Sequence, residues 1–155
     1  MDRRFLLLFA CLGLVAASAQ GAFPPIRLEP VTQGEIVSPV AIENAGDGSG
    51  RLFIADQRGQ IRIIDQGTLL PTPLLDLGSL LVPERPNFDE RGLLGLAFHP
   101  DFGQTGAAGA DKFYVYYSAP STEPGTDENP IDHQSVVTTL SPTTSTPNLA
   151  APPSR

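Results

Sequence analysis

The sequence holds two histidines, His99 and His133, and these are the first places to look for acid–base chemistry, because imidazole titrates near neutrality unaided. His99 stands in His99-Pro100-Asp101, a turn signal, where its ring and the Asp101 carboxylate are expected to bond local backbone. His133 follows Asp132 at the start of a β-branched run; a surface loop histidine is expected there rather than a base, which needs a cleft to tune it. Asp47-Gly48-Ser49-Gly50 lacks the alternating acids and distal glutamate of a calcium loop, and no helix pattern or lysine makes it a phosphate cradle. It is expected to be a turn, and no metal ligand is assigned. Glu123, Asp127 and Glu128 form an acidic loop that is expected to be solvated. Glu90 and Arg91 stand side by side at the start of the most apolar run, where an exposed ion pair would carry little energy.

These residues need elements to position them, and the elements read as strands. Gly92 to Phe98 is a short apolar run closed by His99-Pro100, too short for a stable helix. Phe113 to Ser118 is dense in aromatic and β-branched residues, and the Gly103–Asp111 linker suggests an antiparallel hairpin with a long loop. Ser135 to Leu140 is a third strand of the same sheet. Upstream, Ile36–Glu43, Arg51–Asp56, Ile61–Asp65 and Leu69–Leu77 make a four-stranded meander, with a tight turn at Gln57-Arg58-Gly59-Gln60. Pro71 and Pro73 confine the fourth strand to an edge. The expected fold class is all-β.

Several of these segments together resemble the glucose/sorbosone dehydrogenase family, soluble sugar dehydrogenases that use pyrroloquinoline quinone (PQQ). The residues that carry the resemblance are GLLGLAFHPDF at Gly92–Phe102 followed by FYVYYS at Phe113–Ser118. In order with them come GDGSGRLFIADQRGQIRIID at Gly46–Asp65, PLLDL at Pro73–Leu77, HQSVVTTLSP from His133, and PNLA near the end. The resemblance runs from about Val37 to Ala150. It implies a six-bladed β-propeller that binds PQQ and calcium, a histidine base in a His-x-Gly segment, a sugar substrate and an external electron acceptor. That histidine segment does not occur in this chain: Asp132-His133-Gln134-Ser135 continues into Val136-Val137, with no glycine, so no catalytic residue is assigned. The resemblance places a polar residue at Glu90 facing cofactor and sugar, which makes Glu90 the single cofactor-binding candidate. The family often has glutamine there, and a carboxylate near an anionic quinone is repelled unless calcium or Arg91 offsets it.

Length then limits what the chain can build. Closed propellers need about 4–8 blades of roughly 40–50 residues each, and the chain has 155 residues in all. The expected organisation is a signal peptide at 1–19, an extended lead-in at 20–35, and a partial β-propeller at 36–140. The propeller part comprises one full blade at 36–77 and most of a second at 92–140, and a disordered Ser/Thr/Pro-rich tail covers 141–155. Arg3 and Arg4, the apolar Phe5–Ala17 and the small residues Ala17-Ser18-Ala19 make the leader, which is too short to span a membrane. Secretion or periplasmic export after cleavage at Ala19 is the expectation. The one cysteine, Cys11, lies in that leader, so no mature disulfide is expected. A formal charge of -7 opposes electrostatic binding to nucleic acid or anionic lipid. The sequence thus reads as an N-terminal fragment of a secreted PQQ-dependent sugar dehydrogenase, inactive alone, or else as a non-catalytic secreted propeller module that binds a partner.

Overall fold

Alternating apolar positions in the first half close into one antiparallel sheet. The computed structural model describes residues 24–123, 125–128, 130–143 and 146–150, so the expected leader lies outside the described residues. Strands β1 (Pro39–Asn44), β2 (Leu52–Asp56) and β3 (Gln60–Asp65) pair in sequence order. The fourth strand expected at Leu69–Leu77 is one edge in two pieces, β4 (Thr68–Leu69) and β5 (Leu75–Asp76), both on β3. Pro71 and Pro73 fall in the gap, where a missing N–H breaks no ladder. The β2–β3 turn closes with Gly59 N–H donating to the Asp56 carbonyl at 2.9 Å, and Gly59 takes a φ of 109°.

The second half repeats the plan with three strands, β6 (Leu93–Phe98), β7 (Phe113–Pro120) and β8 (His133–Leu140), in that order and antiparallel. The long β6–β7 hairpin expected from the Gly/Ala linker is present. The tail departs from expectation. Pro142–Thr143 (β9) and Thr146–Ala150 (β10) pair antiparallel where low apolar content argued for disorder. Threonine favours extended backbone, a preference that apolar content alone undervalues.

The two sheets stack face to face. Phe53, Ala55, Ile61 and Ile63 of the first meet Leu93, Leu96, Phe113 and Val115 of the second in one core. Phe98 is the hinge of the packing, with ring centroids 4.7 Å from Phe53, 4.7 Å from Phe102 and 5.8 Å from Phe113. Each fully buried side chain of this kind contributes about 1.5–3 kcal/mol. Each sheet also leaves apolar side chains exposed: Ile42 is 56% exposed on the first sheet and Val137 73% on the second. Among the described residues the only helix is the 3-10 turn Gly78–Leu80, and none is long and apolar enough to cross a membrane.

Candidate functional site

The loop that leaves the first sheet and opens β6 is built around one arginine. Arg91 is 9% exposed. Its Nε donates to Asp89 Oδ1 at 2.8 Å and its Nη2 to Asp89 Oδ2 at 2.6 Å, a two-pronged grip on one carboxylate. Nη2 also donates to the Pro83 carbonyl at 3.0 Å, and Nη1 to Asp132 Oδ2 at 3.1 Å. Arg85 meets the same Asp132 oxygen. Asp89 further accepts the backbone N–H of Arg91 at 3.0 Å and of Arg85 at 2.7 Å.

The first sheet fixes this loop in place. Gln57, in the β2–β3 turn, donates from Nε2 to the Asp89 carbonyl at 2.7 Å and to the Arg91 carbonyl at 3.0 Å. Its own carbonyl accepts Leu93 N–H at 2.9 Å. Between them Gly92 takes a φ of 137°, and a Cβ there would collide with the Gln57 carbonyl, so only glycine fits this crossing. Asp56 holds the other side of the same turn, its carboxylate accepting Val37 N–H at 3.1 Å, Ser38 N–H at 3.2 Å and Arg58 N–H at 3.0 Å.

Electrostatics follow the contacts. The Arg91 guanidinium, outweighing partial burial, holds the Asp89 carboxyl well below the usual carboxylate range, and Asp89 in turn raises Arg91. The hydrogen bond from His133, opposed by burial and helped by the charges of Arg85 and Arg91, lowers Asp132. His133 Nδ1 lies 2.7 Å from Asp132 Oδ1. With Asp132 ionised, that contact puts the proton on Nδ1 and turns Nε2 into the ring's acceptor when the imidazole is neutral.

These groups wall a cavity of about 320 Å³, completed by Phe88, Leu94, Tyr116 and Ser118. Glu90 and His133, far apart in sequence, both line it. Glu90 is exposed at the rim, and the exposed Glu90–Arg91 pair considered from sequence does not form, since Arg91 is buried on Asp89 and Asp132. His133 opens β8 opposite Pro120 rather than lying free in the loop. His99 is at the other end of β6, where its Nδ1 accepts Asp101 N–H at 3.1 Å, a turn role. Asp47 likewise caps a turn, accepting Ser49 N–H at 3.0 Å and pairing with Arg51 at 2.9 Å. Burial pushes the Asp47 carboxyl up, but the Ser49 and Arg51 bonds prevail and lower it. Among the described residues no three His, Cys, Asp or Glu side chains are grouped to hold a metal ion. Sequence reasoning missed Asp89, Gln57, Arg85 and Asp132; Gln57 binds backbone and Asp132 meets Arg85 and Arg91 across distant segments, while the Asp89–Arg91 pair is local and its spacing of two could have been read.

A solved oxidoreductase from Thermus thermophilus, described as a glucose dehydrogenase, resembles this chain in fold. It is 29% identical with a TM-score of 0.51, over 74% of this chain and 27% of that one. The fold is a partial β-propeller. Hedgehog-interacting protein of Mus musculus is 42% identical over 81 residues, 52% of this chain and 11% of that protein. The human protein of the same name is 40% identical over 89 residues, 54% of this chain and 12% of that protein. The chain therefore spans about a quarter of the solved structure and about a ninth of the curated relatives. No family model matches.

A quinone bearing carboxylates asks for uncommitted cations. At the cavity Arg91 is buried on Asp89 and Asp132, the exposed Arg85 is paired with Asp132, and the rim presents Glu90. The described residues do not by themselves fit PQQ or its calcium.

Proposed function

We propose that this chain is a sector of a secreted or periplasmic sugar dehydrogenase of the PQQ-dependent kind, and that its cavity forms part of the sugar-facing rim. The observation that carries the reading is the likeness to the glucose dehydrogenase, at 29% identity over 74% of the chain. Glu90 is the residue assigned to face the sugar and cofactor, and its carboxylate suits sugar hydroxyls better than an anionic quinone. PQQ, calcium and the base that removes the hydroxyl proton belong to this reading through the resemblance alone, and their ligands would come from other sectors. The sugar is the substrate and an external acceptor takes the electrons. The 155-residue chain is an N-terminal portion in this reading and has no turnover of its own.

A second reading, a non-catalytic secreted binding module, is favoured by the 42% identity with Hedgehog-interacting protein. One assay separates the two. Sugar-dependent dye reduction is measured with PQQ and calcium on the 155-residue chain and on the longest reading frame that contains it. Turnover in the longer product and none in the chain is expected. Turnover by the chain alone overturns the sector argument, and a longer product that is inactive but binds a protein ligand supports the module.

A further inference from the structure

The charge pattern of the cavity at the start of β6 selects among saccharides. Resting on the sugar-facing reading above, we infer that it accepts neutral and amino sugars and rejects sugars that carry a carboxylate or phosphate. Its wall brings three carboxylates, Asp89, Glu90 and Asp132, against two guanidinium groups, Arg85 and Arg91. The carboxylates outnumber the guanidinium groups three to two, and only Arg85, paired with Asp132 but exposed along its side chain, could turn toward a ligand. Arg91 is committed to Asp89, Asp132 and the Pro83 carbonyl, and Arg85 to Asp132. An anionic substituent would have to compete with Asp132 for Arg85 and would lie beside Glu90 on a wall where carboxylates are in excess.

Glu90 is the opposite case. It stands exposed at the rim, with no hydrogen bond or ion pair to another described residue, and its two oxygens can accept sugar hydroxyls or an ammonium group. Phe88, 76% exposed on the same wall, offers an aromatic face to the C–H side of a pyranose, and Leu94 adds apolar surface. An aromatic platform, a free carboxylate and an excess of carboxylates over guanidinium groups together describe a site for an uncharged or ammonium-bearing ring.

The test titrates the 155-residue chain with glucose, glucosamine and glucuronate, ranking them by competition in saturation-transfer NMR. Glucosamine is expected to bind about two- to fivefold more tightly than glucose, the weight of one exposed ion pair, and glucuronate is expected to give no transfer. Glu90→Gln is expected to bring the glucosamine-to-glucose ratio to about one, because the ion pair is gone. Glucuronate binding as well as glucose overturns the inference and leaves the sugar reading standing. A glucosamine preference that survives Glu90→Gln overturns the assignment to this cavity. Binding of none of the three removes the sugar reading itself.

Discussion

Gly92 is where the two blades and the cavity loop are joined, and replacing it should cost more than any exposed glycine. At a φ of 137° an added Cβ would run into the Gln57 carbonyl and come within 2.7 Å of Gln57 Cγ. The backbone cannot swing away without loss, because Leu93 N–H donates to Gln57 and Ser118 N–H donates to the Gly92 carbonyl, each at 2.9 Å. Holding alanine in that region costs about 1–3 kcal/mol, and each backbone bond given up costs about 1 kcal/mol. Gly92→Ala should therefore lose about 3–5 kcal/mol, a large share of the roughly 5–15 kcal/mol that stabilises a domain. Gly48→Ala is the control: its φ is 78° but nothing lies within 4 Å of the added carbon, so only the conformational cost of about 1–2 kcal/mol applies. Pulse proteolysis in urea at low micromolar concentration reads both midpoints. With m of about 1–3 kcal/mol per molar, Gly92→Ala should shift its midpoint by more than a molar or be unfolded in water. Equal losses in the two variants would refute the crossing argument.

Three further outcomes follow from the same contacts. Phe53→Ala empties the inter-sheet core beside Phe98 and should cost about 3–5 kcal/mol; tyrosine fluorescence from β7 and the circular dichroism of the whole chain should then lose structure together, and separate transitions would show the blades to be independent. Asp89 and Asp132 have lowered folded-state pKa values, so their contribution is complete above about pH 4, the ordinary aspartate range, and is lost as pH falls toward the lowered values. The urea midpoint should fall more between pH 7 and pH 3 for the native chain than for Asp132→Asn, and parallel losses would contradict the network. The exposed apolar side chains should drive self-association, which sedimentation velocity at tens of micromolar will detect; a sharp monomer that Ile42→Ser leaves unchanged would count against it.

The strands were legible because each is a dense β-branched or aromatic run with clear punctuation. Phe113, Val115 and Tyr117 share one parity and are all buried, as their alternation requires. The prolines at 71 and 73 announced an edge, though not that it would break in two. Thr146–Ala150 was illegible, since a strand with so few apolar residues leaves no hydrophobic period to read. The site was legible only in part. Glu90 and His133 stand out as residue types, yet their common cavity depends on β7 carrying the chain back across the sheet. Gln57 and Asp56 have no residue-level signature at all, because what they bind is backbone.

Side chains that bind backbone let a sector of a ring shape its own rim. The cavity loop is not formed by closure of a ring. It is held by Gln57 from the first blade, by Gly92 at the crossing, and by Asp132 from the start of β8. Every one of those contacts lies within the two blades described, so the rim is preformed in this chain. Its charge is set largely internally, with Arg91 held on Asp89 and Asp132 and Arg85 paired with the same Asp132 oxygen. A rim built this way can offer hydrogen-bond acceptors and an aromatic face to a sugar. It holds its buried arginine on Asp89 and Asp132 and has more carboxylates than guanidinium groups, so under the proposed dehydrogenase reading the quinone's carboxylates would be held mainly by other blades, and recognition of the sugar and of the cofactor would be divided between sectors.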